Sequence, residues 1–494
     1  MSQRLSVWAA SAVVVLASLF SGASWAQLEE VSLLKLSPQE AQRWQEVMNK
    51  PVDPGALNAT KAALLKEKSM AARFLGDSVN EEKFLREWLP LTSEPFAKWS
   101  LRELLWQKGA REEAYRLGEE LANEVAWPPI RVNAQVELAF YYLQDQNLKR
   151  AGELIAKAGA LIRNDFGALP RRGLAPYGIA RAEMTYYMGK SQLESRSGQW
   201  TQAIESSKLA VAKSKEVLRM INWVTNEDDK SRGREFLLMV QVMHANRLTD
   251  AGLYADAEWA FREVFKTAKD YGFSEANMPR YFTQLVDFYN SSGQFRDARY
   301  FSQKIESILD AQNYDQQSRY RLAAQAKTNT AMAGMDEWQA LIQRIDEQEV
   351  ARQKSARTYE FDNQARLRGF AYLKAQRYQD AVKQLDSELQ GNVESFGETH
   401  FYTALTRGLL AQALAKTGQK DEARQAFDKS IRNLTAPESL SGDFAENAIQ
   451  RKTKRFIFKA TCSCCPRRPP AICRPHKPFS RWPTRSVLPA CNRP

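Results

Sequence analysis

The sequence predicts an all-α protein, a solenoid of stacked antiparallel helix pairs, and three observations carry that expectation. A glycine or polar turn residue is followed five places on by alanine, as Gly109…Ala114, Gln146…Ala151, Gly198…Ala203, Gly252…Ala257, Gly293…Ala298, Gln376…Ala381 and Gly418…Ala423. A slipped copy reads Gly334…Ala340, which puts the last five turns at 252, 293, 334, 376 and 418, close to one period. A fixed period of this size marks supersecondary units that each bury an apolar face on the next. No stretch alternates with period two for more than a few residues, so no strand is expected.

From the N-terminus, one basic residue precedes an apolar run from Leu5 to Phe20, followed by Gly22-Ala23-Ser24-Trp25-Ala26. This is the pattern of a secretory signal peptide over residues 1–26, with cleavage expected after Ala26. The run is shorter than the roughly 20 residues a spanning helix needs. No cysteine stands nearby to take a lipid, and no other segment is apolar enough to span. A periplasmic or secreted body with no stable membrane insertion after cleavage is expected. Residues 27–96 read as a helical region punctuated by Pro51, Pro54 and Pro95. Within it Ala63–Gly76 and Glu81–Leu89 form a candidate degenerate hairpin turning at Gly76.

The array proper is expected over residues 97–440. Apolar residues recur at three- and four-residue steps on both sides of each turn: Leu138, Ala139 and Tyr142 before Gln146, then Ala151, Ile155 and Ala158 after it. That spacing makes two antiparallel helices, A before the turn and B after it. The small residue seven before the turn (Ala139, Ala245, Gly369, Ala411) and the alanine five after it are placed at the helix crossing. The residue two after the turn is often large and apolar, as Leu148, Trp200, Tyr254, Phe295 and Tyr378 show, with Arg111 and Lys420 departing from the rule. Two gaps exceed the period, and their extra residues read as loops at Asp165–Pro176 and Asn226–Lys230.

These residues resemble the tetratricopeptide repeat, whose signature is a small residue in helix A, an aromatic after the turn and an alanine early in helix B. The length is similar to the 42-residue variety of kinesin light chains, as is the phrase from Gly397 to Ala404 before the last helix A. The resemblance implies a right-handed superhelix whose concave groove, lined by helix A, binds a peptide or protein partner. The groove-facing offsets give Asn133, Phe140, Asn246, Asp287, Asn290, Asn363, Arg366, Phe370 and Gln412. The signal peptide, the long repeats and Arg451–Ala460 (RKTKRFIFKA) are together similar to secreted bacterial chains that carry a C-terminal caspase-like peptidase domain of the CHAT family. The likeness stops near Thr461, so no catalytic cysteine or histidine carries over. It leaves open a regulatory part of a truncated peptidase, or an envelope assembly or export scaffold.

A linker and terminal helix are expected over 441–461, and a different polymer over 462–494. All five cysteines (Cys462, Cys464, Cys465, Cys473, Cys491) lie in that tail. No acidic residue follows Glu446, and the basic residues from Arg451 onward equal the whole formal excess of +12. The body is therefore charge-balanced, and the basic pI gives no reason to expect nucleic acid as a partner. The proline- and arginine-rich tail cannot bury enough surface to order itself. A zinc site from Cys462, Cys464, Cys465 and His476, a basic tail for an acidic partner, and out-of-frame translation all remain open for it. Elsewhere the body has no thiol and only His244 and His400, with no phosphate loop, zinc-helix or nucleophile-elbow motif. No catalytic residue, no metal and no cofactor is expected.

Overall fold

The computed structural model describes residues 38–93, 95–145, 147–170, 172, 175–221, 227–273, 278–312, 319–353, 364–436 and 446–464. Twenty α-helices and no strand occur among them. The first three are α1 (Pro38–Asn49), α2 (Asn58–Phe74) and α3 (Ser78–Trp88), then α4 (Pro95–Gln107) and α5 (Arg111–Glu124). Next come α6 (Pro128–Gln144), α7 (Leu148–Asp165), α8 (Ala175–Arg196), α9 (Trp200–Ile221), α10 (Glu227–Asp250) and α11 (Tyr254–Asp270). They are followed by α12 (Pro279–Ser292), α13 (Phe295–Ala311), α14 (Arg319–Gly334), α15 (Trp338–Gln353), α16 (Ala365–Lys374) and α17 (Tyr378–Phe396). The last are α18 (Phe401–Lys416), α19 (Lys420–Thr435) and α20 (Ala448–Cys464). Among the described residues, no helix is long and apolar enough to cross a membrane.

The hairpins share one turn. The backbone N–H after the turn residue bonds the carbonyl five places back, as in Ala110 to Leu105, Leu253 to Leu248 and Arg377 to Tyr372, all 2.9 Å. This bond satisfies a carbonyl the ending helix leaves unpaired, and it requires a left-handed turn residue. Gly109, Gly198, Gly252, Gly293 and Gly418 supply positive φ, and Gln376 adopts φ 63° without glycine's freedom. The candidate hairpin at Gly76 closes in the same way, with φ 73° there and Asp77 N–H on Ala72 O at 2.9 Å. Gln146 lies outside the described residues, but Asn147 N–H still reaches Tyr142 O at 2.8 Å.

One repeat corrects the expected register. Between α14 and α15 the left-handed residue is Asp336, φ 64°, and Glu337 N–H closes the turn on Met332 O. Gly334 ends α14, where an added Cβ would lie 2.3 Å from the Phe295 ring. Its lack of a side chain serves packing, not the turn. The position five after the true turn is Leu341, fully buried, while Ala340 is exposed. Trp338 then falls two after the turn, as in the neighbouring repeats.

Elsewhere the crossing positions are as expected. Ala114, Ala151, Ala203, Ala257, Ala298 and Ala381 are fully buried, and so are Ala139, Ala245 and Ala411 on the facing helices. At Gly369 a Cβ would lie 2.4 Å from Leu385, so the two helices meet too closely for any larger residue. Arg111 replaces the apolar residue after the first turn, and its guanidinium stacks 3.4 Å from the Trp106 ring centroid, a cation–π contact in the same place. In the second long gap, residues 227–230 form the first turn of α10 instead of a loop, Asn226 lies outside the described residues, and α9 and α10 are long, at 22 and 24 residues. In the first, a 3-10 turn at Phe166–Ala168 follows α7, with Phe166 buried, and α8 begins at Ala175. The terminal helix runs on to Cys464, past the expected boundary at 461; residues 1–37 and 465–494 lie outside the described residues.

The helices fall into two compact units. The first takes the described residues 38–367 and 446–449, the second 368–436 and 450–464. In the first, A helices of successive hairpins pack on each other, α6 on α8, α10 on α12 and α12 on α14. In the second, α18 packs against both α17 and α19 and buries residues around nearly its whole circumference, from Phe401 to Leu414. A helix apolar on every side must be central.

Candidate interaction surface

Within the first unit, polar side chains on consecutive A helices pair from one helix to the next, in a ladder of separate rungs. Six residues before a turn stand Gln192, Asn246 and Asp287; nine before the next turns stand Gln284 and Lys327. Asn246 Nδ2 donates to Gln284 Oε1 at 2.8 Å, and Asp287 pairs with the Lys327 ammonium. Each bond thus joins offset six of one repeat to offset nine of the next, counted from the turn at Asp336 for Lys327. The stacking of α10, α12 and α14 sets this registry, because equivalent residues recur one helix spacing apart. Gln192 on α8 accepts from the Arg247 guanidinium on α10, and Arg247 Nε reaches Ser191 Oγ at 3.3 Å. Arg247 also pairs with Asp250 at 3.3 Å. Burial raises the Asp250 carboxyl, with the Asp287 charge adding to the rise, and burial lowers Arg247.

The side chains expected at a groove therefore have distinct fates. Asn246 is half-buried in the ladder and Asp287 keeps 47% of its side-chain surface open. Asn290 is buried and donates to the Lys327 carbonyl at 3.3 Å, so it ties helices together instead of facing outward. Asn133, 4% exposed on α6, is inside the core, as is Phe370, 2% exposed on α16. Phe140 is half-buried against two apolar clusters. Arg366 and Gln412 are half-buried, and the Gln412 Oε1 is buried with no hydrogen-bond partner. Asn363 lies outside the described residues. Sequence offsets brought Asn246 and Asp287 together and missed Gln192, Arg247, Gln284 and Lys327. Gln192 carries the same offset signal as Asn246, whereas the place of Lys327 depends on reading Asp336 as the turn.

Further toward the N-terminus the A helices carry charge of another kind. Arg102 on α4 is fully buried between the Trp99 and Tyr141 rings, 5.1 and 4.9 Å from its guanidinium, and donates to Glu137 on α6 at 2.6 Å. Beside it the buried Glu103 carboxyl leaves Oε1 without a hydrogen-bond partner. Burial pushes this group up to about 7, against the opposing pull of Arg73 and Arg102. No surface reaches these groups, so they can act on stability but not on a ligand.

The two histidines of the body serve structure. His244 Nδ1 lies 2.7 Å from Ser207 Oγ across α9 and α10, and Ser207 is fully buried. A serine sealed from solvent cannot serve as a nucleophile. His400 caps α18, its Nδ1 accepting from Tyr402 N–H at 3.2 Å, and burial lowers it, which keeps the ring neutral and able to accept.

Residues 362–436 match the tetratricopeptide repeat family. No curated protein matches the chain. Among solved structures, a signal transduction ATPase with a tetratricopeptide repeat sensor from Pyrococcus horikoshii is 15% identical with a TM-score of 0.39. The match covers 87% of this chain and 54% of that one, so the chain spans about half the length of the archaeal protein. The apo form of RapI is 10% identical with a TM-score of 0.45, over 80% of this chain and 96% of RapI. Residues 362–436 thus carry the tetratricopeptide repeat, and the same turn bond recurs in the hairpins before them.

Proposed function

We propose that this chain is a non-catalytic scaffold outside the cytoplasm that binds an extended peptide or protein segment along the A-helix face of its first unit. The ladder from Gln192 through Asn246, Gln284, Asp287 and Lys327 carries this reading. Amide, carboxylate and ammonium groups stand at fixed offsets on successive rigid helices, half-open to solvent, and a backbone laid across them finds both donors and acceptors. Each neutral hydrogen bond of this kind contributes on the order of 0.5–1.5 kcal/mol, and charged ones more. The extracytoplasmic location rests on the leader-like stretch ending at Ala26. An array that regulates a caspase-like peptidase is the alternative, and it rests on the likeness of the leader, the long repeats and Arg451–Ala460 together.

Peptides selected by display on the native full chain test the reading. Their affinity should fall at least about tenfold for the Asn246→Ala/Asp287→Ala chain, the sum of two such bonds, with the helical dichroism spectrum unchanged. Selected peptides that bind both chains equally would remove the ladder as the binding face. Purified protein should leave caspase-type peptide substrates intact, and hydrolysis that survives removal of every cysteine would overturn the scaffold.

A further inference from the structure

We propose that the α16–α18 face of the second unit is a receptor for an amphipathic helix, held closed by the chain's own helix α20, and that a partner helix of the same pattern binds by displacing it. This rests on the scaffold reading and names a partner class for a second face.

Helix α20 runs beside α18 in the same direction. Gln450 Nε2 donates to the Tyr402 hydroxyl at 3.3 Å near the start of both, and Ile457 lies against Gly408 farther on. Ile457 is fully buried, and its notch exists because residue 408 has no side chain. A Cβ there would stand 2.6 Å from Ser430 Oγ and 2.8 Å from two Ile457 carbons. The neighbouring Phe456 packs on Phe370 of α16 with ring centroids 4.9 Å apart, and the Lys374 ammonium sits 4.1 Å from the Phe456 ring centroid. Phe370 lies six residues before its turn and Gly408 ten before the next. Phe370 therefore has the same offset as Gln192, Asn246 and Asp287. In the second unit, α20 packs on Phe370, which stands at the offset that in the first unit carries Gln192, Asn246 and Asp287.

The seat of α20 is narrow. Among its described side chains Gln450, Thr453 and Ile457 are buried, and Ile457 is the apolar one, with Ile449, Phe456 and Phe458 half-buried. The neighbouring α18 buries residues at nearly every position from Phe401 to Leu414. A helix integral to a core, like α18, presents a broad apolar stripe, whereas one whose fully buried seam is mostly polar gives up less apolar burial on release and exchanges more readily. An intramolecular occupant lowers apparent affinity for an outside ligand by the fraction of time the site is open. The recognised element is therefore an amphipathic helix carrying an adjacent aromatic and branched aliphatic residue, with a small polar residue one turn before the aliphatic one. Helix-in-groove binding of this sort reads anchors at helical spacing.

The test uses the full chain and a labelled synthetic peptide with the sequence of residues 448–461. Ile457→Asp removes the anchor, so hydrogen exchange in α20 should accelerate. Peptide affinity, read by fluorescence anisotropy, should then rise at least about tenfold over the native chain as the tethered competitor leaves. A peptide carrying the same Ile→Asp change should bind neither chain. Gly408→Leu fills the notch and should release α20 with no gain in peptide binding. Release of α20 by Ile457→Asp without that gain would show a plain end cap and overturn the proposal, as would unchanged exchange. If Ile457→Asp melts the second unit, Phe456→Ala replaces it and must give a smaller gain in the same direction; none overturns the proposal. These readouts lie in the second unit, so their failure leaves the ladder of the first standing, and loss of ladder binding leaves them unaffected.

Discussion

Two stretches of the same A-helix layer in the first unit use charge in opposite ways. Around α4 and α6, Arg102 and Glu137 are sealed, with side-chain exposures of 0% and 4%, and aromatic rings lie against the guanidinium. Around α12, Asp287 meets Lys327 with 47% of its side chain open. The chemistry of the two ion pairs is alike; the surroundings decide their use. A sealed pair bears the desolvation of both ions and becomes costly to break, while an open pair is cheap to break and can trade its partner for a ligand. A charge on an A helix is thus no sign of a binding face until its burial is known.

The largest expected effect tests the sealed side. Arg102→Ala removes the buried guanidinium that donates to Glu137 and should destabilise by about 3–5 kcal/mol, read by urea denaturation. A loss below 1 kcal/mol would dissolve the contrast with α12. Next comes Glu103→Gln. The Glu103 carboxyl sits near 7 in the folded chain against an ordinary 4.5, so the folded state holds the proton more tightly than the unfolded one. Its stability is fully present below the unfolded value and is lost as pH rises from 4.5 through about 7, beyond which both states are ionised. Glu103→Gln cannot ionise, so it should match the native chain at pH 4 and exceed it by on the order of 1–3 kcal/mol at pH 8. Melting temperatures across that range decide it, and a pH-independent difference would mean that Glu103 is not held proton-rich by burial. The smallest effect belongs to the open side: Asp287→Ala should cost less than about 1 kcal/mol. A loss as large as that of Arg102→Ala would show the ladder to be a structural network like the sealed pair.

Much of the fold was legible because its signals are local. Glycine at a left-handed turn and alanine at a crossing are set by sterics within one hairpin, so each repeat displays them in its own sequence. The repeat at Asp336 was misread for a physical reason: its turn residue is polar and silent, while Gly334 stands two places away to make room for Phe295. That shift hid Lys327 from the offset pattern, and with it half of the Asp287 pair. The extra length of α9 and α10 was invisible because insertion into a helix and insertion into a loop look alike in spacing. Asn133, Asn290 and Phe370 were read as open because a helix offset gives direction but not what lies across from it. The seat of Ile457 depends on a contact some fifty residues away in sequence, which no local pattern announces.

The shared turn also governs how the chain acquires its fold. Each hairpin fixes its reversal through a bond spanning five residues, as Gln294 to Tyr289 and Gln419 to Leu414 show, and most helices then find their main partner next in sequence. Packing between helices adjacent in sequence dominates, so little loop-closure entropy opposes assembly, and chains of this topology fold fast for their length. Growth can start at any hairpin and spread in either direction. A polypeptide emerging from a narrow channel N-terminus first could therefore pack hairpin by hairpin, each new pair finding its neighbour already in place, without waiting for a distant segment to arrive.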